Sequence, residues 1–295
     1  MGELIRVFSD DGLELQGLFC PPRTMKKRPF AISHIHGLAT NFYANRFIDA
    51  VADKLVSKGD AFLTFNNRGH DYISDFVKKK NDGGLTYVPI GSANEVFEEC
   101  VLDIKATLDF LEKRNFHEII LEGHSEGAIK AVYYQSKTQD KRVKGIVLMS
   151  PPDIIGLQKS ALGDKYEEAI KAAVKMTEEG RSDELMPKIF FVFPVSAKTY
   201  LDLFGPNTKI GVFSFHDTTN RFEDLAKITC PLLAFFGTQR EAVVDNVETA
   251  LDILKRKAVA STLCETALIQ GAGHNYIGYE NKVAELVSDW LERIR

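Results

Sequence analysis

The sequence has 295 residues with a formal net charge of −4; 44% of the residues are apolar and 26% are charged. This balance is that of an ordinary globular chain, and it excludes a disordered or collagen-like one. There is no basic block to bind nucleic acid or anionic lipid and no apolar stretch long enough to span a membrane. We therefore expect a small-molecule partner, with no nucleic acid and no membrane.

The first 18 residues predict a β-hairpin, because alternating apolar positions flank an Asp-Gly turn at 11–12. After it, short apolar runs typical of buried strands alternate with amphipathic stretches typical of helices. The predicted strands are 30–35, 61–65, 118–121, 143–149, 232–236 and 262–269. The predicted helices are 47–55, a helix that starts at a capping box at 92–95 and ends near 114, then 125–135, 244–254 and 280–294. This alternation indicates an α/β fold with a mostly parallel sheet covered on both faces.

Two stretches interrupt the alternation. Residues 71–91 are polar, with a Gly-Gly pair and a lysine run, and predict a loop. Residues 151–230 contain a helical pattern at 166–176 and a Phe-rich run at 189–193 that suits either a strand or part of a lid. We predict a core formed by residues 1–150 and 231–295, with residues 151–230 inserted as a cap over the carboxyl edge of the sheet.

Residues 123–127 read Gly-His-Ser-Glu-Gly, a G-x-S-x-G motif between a predicted strand and a predicted helix. A sharp strand-to-helix turn holds its serine in strained backbone geometry and needs small residues on both sides. Such a turn projects the Ser125 hydroxyl above the sheet, at the positive end of a helix dipole. A serine hydroxyl is a weak nucleophile until a base removes its proton, so the motif predicts a nucleophile that requires a partner.

The best candidate for that base is His274, which directly follows the last predicted strand and therefore emerges at the same carboxyl edge as Ser125. The developing oxyanion would need two N–H donors. We expect one from the backbone of Glu126 and one from Leu38, where Gly37 allows a tight turn. In the Phe-rich run, Phe191 and Phe193 are candidates for an apolar acyl pocket, or equally for the cap's own small core. Gly37 is a further candidate for contact with the substrate.

We expect neither a metal nor a cofactor. His34 and His36 share a strand face but have no carboxylate or cysteine beside them, and the four cysteines lack zinc-binding spacing. Free thiols, together with first residues that lack the basic start and apolar core of a secretion signal, favour a cytoplasmic location. The sequence is compatible with a monomer or a homodimer.

The chain order of His36-Gly37, the G-x-S-x-G motif and Gly273-His274 resembles that of the α/β-hydrolases, and the resemblance covers essentially the whole chain. It implies an eight-stranded sheet, a mainly helical cap inserted after the sixth strand, and hydrolysis without a cofactor.

The acid is where the sequence departs from that family. Its members usually carry Asp in a Gly-x-x-Asp turn, whereas residues 237–241 read Gly-Thr-Gln-Arg-Glu and put Arg240 at the expected position. Glu241, one residue later, is our first choice. Asp245 and Asp153 are the alternatives, Asp153 because some members supply the acid after the sixth strand.

The leading hypothesis is a serine hydrolase that cleaves a carboxylic ester through an acyl-enzyme on Ser125, with His274 as general base. The same machinery suits a thioester, an amide or acyl transfer. Two alternatives remain: a receptor-like binding protein with little turnover, suggested by Arg240, and cofactor-free perhydrolase or lyase chemistry on the same scaffold.

Overall fold

A computed structural model describes residues 2–24, 26, 29–217, 219–239 and 241–295. Its ten strands, in chain order, are β1 (Glu3–Phe8), β2 (Glu14–Cys20), β3 (Ala31–Ile35), β4 (Ala61–Phe65), β5 (Asp75–Lys79), β6 (Leu85–Pro89), β7 (Ile119–His124), β8 (Val143–Met149), β9 (Leu232–Gln239) and β10 (Cys264–Gly273). Its eight α-helices are α1 (Arg46–Ser57), α2 (Cys100–Lys113), α3 (Glu126–Thr138), α4 (Ile154–Leu162), α5 (Lys165–Glu178), α6 (Ala197–Phe204), α7 (Val247–Lys257) and α8 (Glu280–Ile294).

Eight of the strands form one sheet in the order β1-β2-β4-β3-β7-β8-β9-β10. The pairs β1–β2 and β2–β4 are antiparallel, and every other pair in this sheet is parallel. The predicted eight-stranded, mostly parallel sheet is thereby confirmed. Strands β3, β4 and β7 are buried at every residue, as expected for parallel strands with helices on both faces.

The helices cover the two faces of the sheet with separate apolar cores. On one face, Phe47 of α1 and Trp290 of α8 belong to the same buried cluster. On the other face, Leu108 of α2, Ile129 of α3 and Leu251 of α7 belong to a second cluster. These five helices pack apolar side chains on the sheet, and the helical spacing of those side chains made the segments recognisable as helices.

Two local predictions were wrong. The stretch 71–91, predicted to be a loop, contains the β5–β6 hairpin, whose residues are mostly half-buried or exposed and so give little apolar signal. Residues 92–95 do not cap a helix, because α2 begins at Cys100 after a short 3₁₀ turn at Phe97–Glu99. The Glu95 carboxylate accepts a hydrogen bond from Lys130 Nζ at 2.5 Å instead of capping a helix.

Helices α4, α5 and α6 lie between β8 and β9, and β8 is the sixth strand of the main sheet in chain order. This stretch, residues 151–230, is called the inserted segment below. The Phe-rich run at 189–193 is irregular and forms no strand. Within the described ranges, no helix combines the length and apolarity needed to cross a bilayer.

Candidate active site

Ser125 occupies a sharp turn between β7 and α3, with φ of 56° and ψ of −126°. A positive φ is unusual for a residue with a side chain and costs on the order of 1–3 kcal/mol. The motif glycines permit this turn: a Cβ on Gly123 would lie 2.2 Å from the carbonyl oxygen of Gly127, and a Cβ on Gly127 would lie 2.0 Å from that of Ile35. The backbone therefore packs closely behind Ser125 and turns its side chain towards a cavity.

His274 immediately follows β10, and its Nδ1 lies 2.8 Å from Oε2 of Glu241. Because an ionised carboxylate only accepts hydrogen bonds, this geometry assigns the proton to Nδ1 and leaves the lone pair of Nε2 available. The Glu241 side chain is 2% exposed and that of His274 is 25% exposed. The imidazole is therefore held from the protein side while its far edge remains accessible.

The other oxygen of Glu241 is also fully engaged. Oε1 accepts the backbone N–H of Gly237 at 2.7 Å and the hydroxyl of Ser150 at 2.9 Å. Ser150 Oγ in turn lies 2.6 Å from the hydroxyl of Tyr276, whose pKa burial raises well above its ordinary value. Sequence reasoning missed Ser150 and Tyr276, because only the fold brings these two residues to the carboxylate.

The two alternative acids lie elsewhere. Asp153 is fully buried and accepts hydrogen bonds from the backbone of Gly156 at 2.9 Å and of His216 at 2.7 Å. It also bonds the His216 ring nitrogen Nδ1 at 2.8 Å. Asp245 is exposed. Arg240, which occupies the position expected for the acid, lies outside the described residues.

The backbone N–H groups of Leu38 and Glu126 donate no hydrogen bond within the part of the chain that the structure describes. Gly37 passes close to the serine, since a Cβ there would lie 2.9 Å from Cβ of Ser125. His36 Nδ1 donates to the Gly37 carbonyl at 2.9 Å, and its Nε2 accepts the N–H of Asn67 at 3.1 Å. Burial holds the pKa of His36 well below its ordinary value, so this imidazole fixes the loop as a neutral group.

His124, the residue before Ser125, joins the turn to the loop that carries His274. Its Nε2 donates to the backbone carbonyl of His274 at 2.8 Å, and burial holds its pKa well below the ordinary value. Ser125 and His274 line the same cavity, but they do not form a hydrogen bond with each other in this structure. Such bonds are often long or misaligned before substrate binds.

That cavity has a volume of about 750 Å³ and lies between Ser125 and the inserted segment. Phe191 and Phe193 both line it, and so does Gly37. The ring of Phe191 also packs on Phe193 and Phe204, with centroid distances of 5.4 and 5.1 Å. These phenylalanines thus form part of the cavity wall and also pack against other aromatic rings of the inserted segment.

A buried charge cluster lies behind the motif. Lys130 Nζ lies 3.3 Å from a Glu126 oxygen and close to Glu95, and all three side chains are at most 5% exposed. The Glu126 side chain therefore belongs to this cluster, although its backbone N–H remains available beside Ser125. Among the described residues, no group of three or more His, Cys, Asp or Glu side chains is arranged to hold a metal ion.

Solved structures with the same architecture include proteins named as hydrolytic enzymes. The siderophore hydrolase EstB from Aspergillus fumigatus has a TM-score of 0.72 at 15% identity, covering 100% of this chain and 98% of that one. Est1E from Butyrivibrio proteoclasticus with bound ferulic acid has a TM-score of 0.65 at 22% identity, covering 97% and 98% of the two chains. The Pyrococcus furiosus esterase Pf2001 also has a TM-score of 0.65, at 18% identity with 99% and 91% covered. The fold is thus that of an α/β-hydrolase, as the sequence motifs predicted.

At the level of sequence, residues 90–294 match the family described as "Protein of unknown function (DUF1749)". The chain belongs to this family. No curated protein matches it.

Proposed function

We propose that this protein is a serine hydrolase that cleaves carboxylic esters through an acyl-enzyme on Ser125. The observation that carries the proposal is the hydrogen bond between His274 Nδ1 and Glu241 Oε2, which leaves Nε2 as a base on the cavity that also contains Ser125. The carboxylate holds the imidazole in the required tautomer and stabilises the imidazolium that forms during the reaction.

In acylation, Ser125 Oγ attacks the ester carbonyl carbon while His274 Nε2 takes the hydroxyl proton. The carbonyl oxygen gains the negative charge and accepts hydrogen bonds from the N–H groups of Leu38 and Glu126. The tetrahedral intermediate collapses, the bond to the leaving oxygen breaks, and the imidazolium returns the proton to that oxygen. The products of this half-reaction are a free alcohol and an acyl ester on Ser125.

In deacylation, a water molecule takes the place of the alcohol. His274 removes one of its protons, the hydroxide oxygen attacks the acyl carbon, and the proton goes back to Ser125 Oγ as the carboxylic acid leaves. The overall reaction consumes one ester and one water and needs no oxidant, reductant or cofactor. The same steps suit a thioester, or an acyl transfer in which an alcohol replaces water.

The named activities of two structural relatives, an esterase and a siderophore hydrolase, support an ester substrate. The receptor-like alternative depended on Arg240, which occupies the position expected for the acid. Because Glu241 bonds His274 instead, the base still has a carboxylate partner, and the argument for a receptor-like protein is weaker. No described feature favours perhydrolase or lyase chemistry.

Hydrolysis of nitrophenyl acetate, butyrate and octanoate by the purified protein tests the proposal, together with labelling by a fluorophosphonate. We expect turnover and labelling at Ser125, and loss of both in Ser125→Ala. Ser57→Ala is the matched control, since this exposed serine lies at the far end of α1. Absence of both turnover and labelling in the parent protein would overturn the proposal.

Three further expectations remain proposals. We place the protein in the cytoplasm, as a monomer or homodimer, on the strength of its sequence. We also propose that residues 151–230 act as a cap on a core formed by 1–150 and 231–295.

A further inference from the structure

The cavity beside Ser125 has two chemically different walls. The wall from the inserted segment is apolar and includes Ile154, Leu157, Phe190 and Phe191. Gln158, a polar residue of that wall, is already engaged, because its amide donates to the Phe190 carbonyl at 2.5 Å and to the Tyr200 hydroxyl at 3.0 Å. Apart from the exposed Lys188, this wall therefore offers a ligand apolar surface and few donors.

The part of the lining that lies outside the inserted segment, called the polar wall below, includes three uncharged polar side chains, those of Thr40, Asn45 and Asn275. None of the three forms a side-chain hydrogen bond with another described residue. Asn45 is notable because it directly precedes α1, where an asparagine commonly bonds the first turn, yet its side chain makes no such bond. These hydroxyl and amide groups are available to a ligand in the cavity.

Packing brings together the segments that carry Asn45 and Asn275. The ring of Phe47, two residues after Asn45, lies 5.7 Å from the ring of Tyr276, the residue after Asn275. Phe47 also lies 5.0 Å from the ring of His124, next to Ser125. The start of α1 and the loop after His274 therefore adjoin at the reacting centre.

The chemistry of acylation indicates that this polar wall binds the leaving group, which is the alcohol half of the ester. His274 must return its proton to the leaving oxygen, so the leaving group has to lie on the His274 side of Ser125. Asn275 is the next residue along the chain, and the start of α1, which carries Asn45, packs against the segment that carries Asn275. The apolar wall of the inserted segment is then the part of the lining that suits the acyl group.

The scarcity of charged side chains in the cavity lining limits the class of leaving group further, to uncharged molecules. Among the described residues that line the cavity there is no aspartate or glutamate, and the only lysine or arginine is Lys188, which is exposed. A cavity of about 750 Å³ is large enough for a drug-sized ligand. Its walls suit an uncharged molecule with one apolar end and one hydrogen-bonding end.

We propose that Asn45 and Asn275 form a leaving-group subsite, and that the substrate is an ester of an apolar carboxylic acid with a neutral alcohol that carries further hydroxyl or amide groups. This inference rests on the proposed function. It adds to that function a specificity for the alcohol half of the ester, which the nucleophile, base and acid do not determine.

A matched pair of substrates tests the subsite. Propyl octanoate and 1-glyceryl octanoate share one acyl group and a three-carbon alcohol, and they differ by two hydroxyls. We expect the parent protein to show a kcat/KM at least about tenfold higher for the glyceryl ester. Each net hydrogen bond to a neutral group corresponds to a factor of about 2 to 12, so Asn45→Leu and Asn275→Leu should each reduce this preference about 3- to 10-fold.

Asn207→Leu is the matched control, because Asn207 is exposed and lies outside the cavity; its preference should equal that of the parent. An equal rate for the two esters in the parent would overturn the subsite. So would an equal loss of both activities in the variants, which indicates damage to the chemistry and not to leaving-group binding. Failure of the proposed function gives a different result, namely no hydrolysis of nitrophenyl octanoate by any protein.

Discussion

Ser150 donates its hydroxyl proton to Glu241 Oε1 across 2.9 Å, and its oxygen lies 2.6 Å from the hydroxyl of Tyr276. Since Ser150 has a single proton and gives it to the carboxylate, Tyr276 is the donor in the second bond. The result is a chain of hydrogen bonds, Tyr276 to Ser150 to Glu241, that ends at His274 through the other carboxylate oxygen. Such chains polarise their members and hold the carboxylate in one orientation.

The identity of the acid leads to the first prediction. Glu241→Gln removes the negative charge that stabilises the His274 imidazolium, so kcat/KM for a nitrophenyl ester should fall by about 10³- to 10⁴-fold. Asp245→Asn changes the exposed alternative acid four residues away and should leave kcat/KM within twofold of the parent. Equal activity of the two variants would show that Glu241 is not the acid.

The hydrogen-bond chain predicts that removing the Ser150 hydroxyl lowers kcat more than removing the Tyr276 hydroxyl. Ser150→Ala deletes a direct bond to Glu241 and should reduce kcat about tenfold, whereas Tyr276→Phe leaves that bond in place and should reduce kcat only two- to threefold. Both substitutions should also lower the free energy of unfolding, by about 1 kcal/mol each. The comparison requires kcat, its pH profile and urea unfolding for both variants; a larger kcat effect of Tyr276→Phe would contradict the order.

Asp153 should matter for stability and little for the chemistry. Asp153→Asn weakens the bonds that join the end of β8 to His216 of the inserted segment, at a cost of about 1–3 kcal/mol in the free energy of unfolding. The rate of Ser125 labelling by a fluorophosphonate should stay within about threefold of the parent. A loss of labelling as large as that of Glu241→Gln, in protein that remains folded, would make Asp153 the acid.

The buried cluster of Glu95, Glu126 and Lys130 contains two carboxylates and one ammonium. Burial, followed by the negative charges of Glu126 and Asp103, raises the pKa of Glu95 against the pull of Lys130, to about 7. In the unfolded chain the same carboxyl titrates near 4.3. Between these two values the folded state binds more protons, so this group's contribution makes stability fall as pH rises from about 4.3 to 7.

The corresponding test is Glu95→Gln, which removes the titrating charge and keeps a polar side chain. We expect its free energy of unfolding at pH 8 to exceed that of the parent by on the order of 1–3 kcal/mol, with a smaller gain at pH 5. Urea unfolding at several pH values measures the difference. A loss of stability at pH 8 would show that the bond to Lys130 outweighs the cost of the buried charge.

The sequence predicted the main sheet well because its parallel strands are buried on both faces and appear as continuous apolar runs. The sequence-based predictions were wrong where a segment is only partly buried, or where a side chain bonds a partner that is distant along the chain. Strands β5 and β6 lack an apolar run, and Glu95 has the spacing of a capping residue but bonds Lys130 in the core. The run at 189–193 has strand-like composition, yet its rings pack on other aromatic residues of the inserted segment.

For the site, local signals identified Ser125 and His274 as candidates, since a motif at a strand-to-helix turn constrains its own geometry. The supporting residues carried no such signal. Ser150 bonds Glu241, which is 91 positions away along the chain, and Tyr276, which is 126 positions away. His124 bonds the backbone of His274, 150 positions away. Only the folded sheet therefore determines what each of these residues contacts.

The bond from His124 to the backbone of His274 closes a span of 150 residues at its two ends. Because the closure lies beside Ser125 and behind the cavity, the distance between the two functional loops does not depend on the length of the intervening chain. A change in the length or conformation of the inserted segment can therefore leave the spacing of these two loops unchanged.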